Sequence, residues 1–139
     1  MALTNQTAVY TPLPPIRWPD HSLIDPADML IDYDQPSDSL AIAFGGRVQP
    51  ATIDPIDGEA GDYVSLRIDL ENGEDVVGIE IENVGMALDR HPTWRPVVEA
   101  APTETQMSRV SPSVWPALAA LVADVDRLSE QWPRVKPQN

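Results

Sequence analysis

Hydrophobic and polar residues alternate along the middle of the chain, between residues 29 and 84. The apolar positions of the first two runs are Ile31, Tyr33, Leu40, Ile42 and Phe44. A period of two is typical of strands that bury one face. The pattern therefore predicts two strands, joined by a turn over 34–38 in which Pro36 and the flanking Asp and Ser residues favour a chain reversal.

A second pair of alternating runs flanks Asn72-Gly73, a dipeptide typical of tight hairpins. One apolar face consists of Val64, Leu66, Ile68 and Leu70, and the other of Val77, Ile79 and Ile81. If Asn72 and Gly73 form a two-residue type I′ turn, the register is fixed. The predicted pairs are then Ile68 with Val77, Leu66 with Ile79, and Val64 with Ile81, all apolar.

The opposite face of this hairpin is polar, and the sequence predicts that it is solvated. It carries Ser65, Arg67, Asp69, Glu80 and Glu82. Arg67 lies diagonal to Glu80, and we expect a surface ion pair that contributes little to stability. A weaker strand is predicted over Val48–Ile53, where Pro50 indicates an edge or a bulge because proline cannot donate to a ladder.

Proline and helical periodicity organise the two ends of the chain. Residues 1–28 hold five prolines, which predicts an extended arm on the surface or a partly disordered one. Residues 113–132 are predicted to be a helix, since Ser113 can cap it, Pro116 falls in its first turn and Pro133 ends it. The apolar face of the helix is Leu118, Leu121, Val122, Val125 and Leu128.

The elements together predict a single domain of the α+β class. It comprises an extended arm (1–28), an antiparallel β-meander of four to five strands (29–84), an irregular connection (85–112) and a C-terminal amphipathic helix (113–132). The apolar face of the helix needs a partner surface, which is either the open face of its own sheet or the same helix of a second chain.

Composition removes several classes of function. The chain of 139 residues has 22 acidic and 9 basic residues and a formal net charge of -13, which disfavours direct binding of nucleic acid. It contains no cysteine, which excludes disulfides and thiolate chemistry and favours the reducing cytoplasm. No apolar run approaches the length that spans a bilayer, so we expect neither export nor a membrane location.

The segment from residue 30 to residue 83 resembles a known family. Its features are Ile-Asp-Tyr-Asp at 31–34, a short acidic turn that ends at Asp38, the strand at 39–44, the strand at 64–69, the Asn-Gly turn, and Val-Gly-Ile-Glu-Ile at 77–81. This order is similar to that of the domain-of-unknown-function 2283 family. The resemblance implies a small antiparallel sheet without an assigned activity. Some relatives look like partners of small toxin-like proteins, so it also implies an antitoxin-like role as one option.

A search for chemistry finds no catalytic, cofactor-binding or metal-binding motif. His21 and His91 are the two histidines, and they lie far apart in proline-rich segments without metal-ligand spacing. The acidic hairpin tip around Asn72-Gly73 is expected to be solvated. We therefore predict no catalytic residue, cofactor or metal ligand.

All four tryptophans lie next to or near a proline, which favours pinning of extended segments by stacking. Tryptophan and arginine are also enriched at binding hot spots, so the candidate interaction patch is Trp94, Arg95, Trp115, Leu118, Leu121 and Val125. The sequence favours a non-enzymatic interaction protein that binds another protein or itself. The alternative is a metal-dependent enzyme or a small-ligand module that uses acidic residues near His91.

Overall fold

The computed structural model describes residues 15–20, 24–103 and 107–135. It confirms the α+β class, with a five-stranded antiparallel sheet and a C-terminal helix. The strands are β1 (Leu30–Asp34), β2 (Ser39–Ala43), β3 (Ala51–Pro55), β4 (Val64–Asp69) and β5 (Val76–Ile81). The helices are α1 (Val84–Arg90), α2 (Arg95–Ala100) and α3 (Trp115–Leu128). Short 3₁₀ turns cover Pro26–Asp28, Glu59–Asp62, Pro92–Trp94 and Pro112–Val114.

The order of the strands differs from the sequential order of a meander. Across the sheet it is β1-β2-β5-β4-β3, and all neighbours are antiparallel. After β2 the chain passes to the far edge, forms β3, and returns through β4 to β5, which pairs with β2. Strands β2 to β5 therefore have the connectivity of a Greek key. Alternation along each strand does not encode which long-range neighbour it pairs with, so the predicted meander was wrong on this point.

The hairpin between β4 and β5 keeps two of its three predicted pairs. Leu66 lies opposite Ile79 and Val64 opposite Ile81, but Ile68 lies opposite Val76 because the register shifts after Arg67. The tip is also wider than a two-residue turn, since Gly73 has a positive φ of 70° and Asn72 does not. The Asn72 side-chain oxygen accepts hydrogen bonds from the backbone N–H of Glu74 and Asp75 at 2.8 and 3.0 Å. These bonds stabilise a longer loop, and a β-bulge absorbs the extra residue.

The core lies between one face of the sheet and the helices. Its fully buried sheet residues include Ile31, Leu40, Ile42, Leu66 and Ile79. The helix α3 is shorter than predicted, and the 3₁₀ turn precedes it without a side-chain cap from Ser113. Four residues of its predicted apolar face, Leu118, Leu121, Val122 and Val125, are buried inside the chain in one core with the sheet residues, so the face is not bare.

The described part of the N-terminal arm is extended but is not confined to the surface. Ile16 is fully buried, and its backbone pairs with Arg134 of the C-terminal segment. Arg17 pairs in parallel with Asp75, directly before β5. The pairs between β2 and β5 begin only at Gly78, so the arm pairs with the chain before that point. The arm thus links the C-terminus to the sheet. Residues 1–14 and 21–23 of the predicted arm, the latter with His21, lie outside the described residues.

The connection predicted as irregular, 85–112, contains two short helices. The first, α1, buries Val84 and Ala87, and the second, α2, buries Val97. Prolines stand at the first position of the intervening 3₁₀ turn and at the second position of α2, where the backbone N–H has no partner within the helix. The prediction of an irregular connection was therefore wrong for these segments, because prolines at 92 and 96 stand at the starts of helical turns.

Candidate functional site

The six residues of the candidate interaction patch do not form a surface. Trp94, Leu118, Leu121 and Val125 are buried in the core. Arg95 is exposed, and Trp115 is partly buried against the core. The patch prediction was therefore wrong for its four buried members, because the face on which they lie packs within the chain.

A polar and aromatic cluster surrounds His91. Its imidazole stacks on the indole of Trp94, with ring centroids 4.1 Å apart and planes 11° apart. The Nε2 atom lies 2.8 Å from the hydroxyl of Tyr63, at the end of the β3–β4 connection. The indole N–H of Trp94 donates to the Asp124 carboxylate at 3.0 Å, and Arg127 pairs with the same carboxylate. The cluster fastens the helices to the sheet.

The electrostatics of this cluster favour neutral groups. Burial lowers the pKa of His91, an effect that Arg90 adds to and Asp124 opposes. Burial likewise raises the pKa of Tyr63, so the phenol stays protonated at neutral pH. The ring of His91 is covered by Trp94 on one face, and its Nε2 is engaged with Tyr63. The stacked and hydrogen-bonded ring of His91 thus links the segment that holds Trp94 to the β3–β4 connection.

The cavity beside His91 has a volume of about 340 Å³ and is bordered by His91, Asp124, Arg127, Leu128 and Glu130. This lining carries no hydroxyl or thiol that could act as a nucleophile. Within residues 15–20, 24–103 and 107–135, no three His, Cys, Asp or Glu side chains are grouped closely enough to hold a metal ion. The geometry thus gives no support to the alternative of a metal centre near His91.

The outer face of the sheet holds an ion pair that is more buried than expected. Arg67 Nη1 lies 2.6 Å from Glu80 Oε1, and each side chain is only 13% exposed. The arginine stem lies over Gly78, where a Cβ would be 2.8 Å from the Arg67 Cδ atom. Burial raises the pKa of Glu80, and Arg67 partly offsets this rise. The prediction of a solvated pair was wrong, because glycine and alanine neighbours let the arginine lie flat on the sheet.

A pocket of about 370 Å³ lies beside the tip of the β4–β5 hairpin, and Phe44, Val76 and Arg17 contribute to its lining. The Arg17 guanidinium is paired with Asp75 at 2.9 Å and with Glu74 at 3.4 Å. Its charge is therefore already balanced by the two carboxylates.

The outer edges of β1 and β3 differ in whether another segment pairs with them, and the unpaired edge of β3 is the candidate site. On the β1 side, Ile31 exchanges both backbone hydrogen bonds with Ser108, at 2.8 and 3.0 Å. The N–H of Tyr33 donates to the carbonyl of Pro102 at 3.0 Å. On the opposite side, β3 ends the sheet, and no described segment pairs with its outer edge.

The hydrogen bonds at the two ends of β3 define which groups point outward. The N–H of Leu70 donates to the carbonyl of Pro50 at 3.1 Å, and the N–H of Ile56 donates to that of Val64 at 3.2 Å. Because bonded positions alternate in an antiparallel ladder, the even-numbered residues of β3 face β4. Ala51 and Ile53 therefore turn an N–H and a C=O away from the sheet, and the next such residue, a proline, turns only its C=O.

The side chains of β3 reverse the usual polarity. Thr52 and Asp54 lie on the core face, opposite Ile68 and Leu66, and both are exposed. Ile53 lies on the outer face and is 45% exposed. The described residues include four exposed large hydrophobic side chains: Val48, Ile53, Leu70 and Met86. Val48 precedes β3 by three residues. Leu70 was predicted to be in the core, and its backbone N–H is bonded to the carbonyl of Pro50, next to β3.

Four acidic residues lie within β3 or in the connection that follows it. Asp54, Asp57, Glu59 and Asp62 are all exposed. The closest cation that contacts them is Arg90, 3.8 Å from Glu59, in a pair whose side chains are both largely solvated. The β3 edge, defined here as Ala51–Pro55 with Val48 and Leu70, is thus a short row of free backbone groups with an apolar centre and an acidic flank.

Sequence reasoning located this strand but not its importance. Pro50 correctly indicated an edge, although the strand begins later than predicted. The signal that was available is the order Ala-Thr-Ile-Asp-Pro, in which two polar residues share one face. That pattern is typical of a strand whose core face is not covered.

None of the helices in the described ranges has the length and apolar character needed to cross a membrane. No family model matches the chain, and neither a curated protein nor a solved structure matches it.

Proposed function

We propose that this chain is a non-enzymatic interaction protein that binds another protein through the β3 edge. The observation that carries the proposal is the asymmetry of the sheet, in which β1 is paired with a later segment and β3 is not. Natural sheets block their edges with covering segments, prolines or charges, since a free edge pairs readily with another strand. β3 has such blocks only at its ends and leaves Ile53 accessible.

Other features of the molecule agree with this role. The helix face that could have mediated self-association is buried within the chain. The net charge of -13 makes nucleic acid an unfavourable partner. The cluster around His91 joins the helices to the β3–β4 connection. The family resemblance, with its implied role as a partner of another small protein, stays a prediction that is compatible with this proposal.

The test is to block the edge without disturbing the fold. Ile53→Pro removes the outward N–H of residue 53 and leaves the hydrogen bonds between β3 and β4 in place. Proline is tolerated at a strand position whose N–H points to solvent. Ile53→Ala is the matched control, because it keeps the N–H. Both variants and the wild type should be used for affinity capture from the native host with a short cross-linker.

We expect partners that the wild type captures reproducibly to be lost with Ile53→Pro and retained, at reduced yield, with Ile53→Ala. Circular dichroism and thermal unfolding check that both variants fold. If a well-folded Ile53→Pro protein captures the same partners in the same amounts as the wild type, the β3 edge is not the binding surface and the proposal is wrong.

A further inference from the structure

We infer that the occupant of the β3 edge is an extended, basic segment of a partner protein that adds antiparallel to β3 as a sixth strand. The inference rests on the proposed function and deepens it by specifying the chemistry of the partner. Three properties of the edge lead to it: the spacing of its free backbone groups, the faces on which its side chains lie, and the charge around it.

The backbone groups suit a short strand. Ala51 and Ile53 each offer one N–H and one C=O outward, and the carbonyl of Pro55 is a further acceptor. An added antiparallel strand can therefore make up to five hydrogen bonds across three positions of β3. Pro55 lacks the sixth donor, which ends the pairing at the acidic side and limits the guest to a few residues. Strand addition of this kind obtains affinity from main-chain bonds and selectivity from alternate side chains.

The side chains define an alternating guest. The guest residue opposite Ile53 lies on the outer face and contacts an isoleucine that is 45% exposed, so an apolar and β-branched residue fits there. The guest residues on either side point to the other face, next to Thr52 and Asp54. The Asp54 carboxylate accepts a hydrogen bond from the Thr52 hydroxyl at 3.3 Å and is otherwise solvated. Lysine or arginine opposite this carboxylate would gain a cross-strand ion pair.

Charge selects a different protein over a second copy of this one. Two copies would bring together molecules that each carry a net charge of -13, with exposed carboxylates at 54, 57, 59 and 62 on both. In a β3-to-β3 pair centred on Ile53, Asp54 would face Thr52 of the other copy, so no opposite charge would meet it. A basic segment avoids the repulsion between two acidic chains and brings an opposite charge to Asp54. Complementary charge also steers encounter and favours the correct partner.

The probe is a fluorescein-labelled peptide of nine residues that alternates lysine with valine, measured by fluorescence anisotropy with the full-length protein. Three comparisons isolate the mechanism. A peptide that alternates lysine with proline has the same charge but cannot form a ladder. A glutamate–valine peptide reverses the charge. The protein variants Ile53→Pro and Asp54→Asn test the backbone and the carboxylate separately.

We expect the lysine–valine peptide to bind the wild type and the two control peptides to bind at least about tenfold more weakly. Ile53→Pro should weaken binding by more than about tenfold, and Asp54→Asn by about two- to fivefold, as for an exposed ion pair. Added salt should reduce the Asp54→Asn difference, because it screens exposed charges.

Absence of binding by the lysine–valine peptide would overturn the inference, and so would each of three further results. The first is equal binding of the lysine–proline peptide, which would mean attraction by charge alone. The second is binding of the lysine–valine peptide that Ile53→Pro leaves unchanged. The third is light scattering that shows a wild-type dimer and an Ile53→Pro monomer, which would identify a second copy as the occupant.

Failure of the inference about the chemistry of the partner can be distinguished from failure of the proposed function. If the peptide does not bind but Ile53→Pro still abolishes capture of a host protein, the β3 edge is the interaction surface and the basic, alternating character of its partner is wrong. If Ile53→Pro leaves host capture unchanged, the surface itself is wrong.

Discussion

The two edge strands of the sheet differ in whether the chain itself pairs with their outward N–H and C=O groups. At β1, the segment that contains Ser108 adds antiparallel to Ile31, whose side chain lies on the core face and is fully buried. At β3, Ile53 lies on the outer face and is 45% exposed, and no described segment adds to the strand. The difference in edge pairing lies in what the rest of the chain supplies. The chain uses its later part to cover one edge and leaves the other to a partner.

The largest expected effect contrasts the two isoleucines. Ile31→Ala should lower the free energy of unfolding by about 2–5 kcal/mol, because it opens a cavity in a packed core. Ile53→Ala should change it by less than about 0.5 kcal/mol, as for most exposed positions. Guanidinium denaturation of both variants measures the difference. Similar losses at the two positions would show that the β3 edge is structural rather than available for binding.

The ion pair between the two edges should give the next largest effect. Arg67→Met keeps much of the side-chain stem but leaves Glu80 without its cation in a half-buried site. We expect a loss of about 1–3 kcal/mol in unfolding free energy at neutral pH, as for a buried polar group that loses its partner. Because the remaining carboxylate prefers its protonated form there, the loss should shrink as the pH is lowered.

Glu80→Gln is the matched control for this pair, since the neutral amide can still accept from Arg67. It should cost less than Arg67→Met at neutral pH. A loss for Arg67→Met that is near zero, and the same at pH 5 and pH 7.5, would mean that the pair is as solvated as the sequence suggested.

Proline scanning of the two edges tests their hydrogen bonds directly. Ser108→Pro removes the N–H that donates to the buried carbonyl of Ile31 at 3.0 Å, and we expect a loss of about 1–2 kcal/mol. Ile53→Pro removes an N–H that faces solvent and should cost less than about 1 kcal/mol. Thermal unfolding of the two variants compares the edges. A larger loss for Ile53→Pro than for Ser108→Pro would reverse the assignment of the open edge.

The sequence predicted local structure well where one face of a strand is buried. The pairs Leu66 with Ile79 and Val64 with Ile81 follow from alternation, and the structure has both. The same reasoning failed at Ile68, because the Asn72 side chain stabilises a wider loop that local turn rules did not include. Alternation also could not predict that β2 pairs with β5, since both strands present similar apolar faces to any neighbour.

The candidate site was harder to predict than the fold. Tryptophan and arginine at 94 and 95 suggested a surface, but Trp94 is buried and donates to Asp124 across the helix layer. Conversely, β3 is short and partly polar, and the sequence pattern that predicted it was the weakest of the strand patterns. Its outer edge is exposed because no described segment pairs with it. Whether an edge is covered depends on residues distant in sequence, such as Pro102 and Ser108, which a local pattern does not encode.

The smallest expected effect is a pH dependence at the boundary where the helices meet the β3–β4 connection. Burial lowers the pKa of His91 from its ordinary value of 6.5, so the unfolded chain binds a proton more readily than the folded one. His91 therefore contributes stability that is fully present above pH 6.5 and is lost as the pH falls below that value toward the folded pKa. Glu80 has the opposite sign, because its raised pKa makes protonation favour the folded state.

The measurement that isolates His91 is the difference in unfolding free energy between the wild type and His91→Gln, from pH 7.5 to pH 5.5. The wild type should lose stability relative to the variant over this range, while Glu80 contributes equally to both proteins and cancels. The Ile53→Pro protein should show the same slope as the wild type, since β3 carries no part of the His91 cluster. A slope that Ile53→Pro abolishes would mean that the substitution changes the surroundings of His91, and that β3 is not an independent binding element.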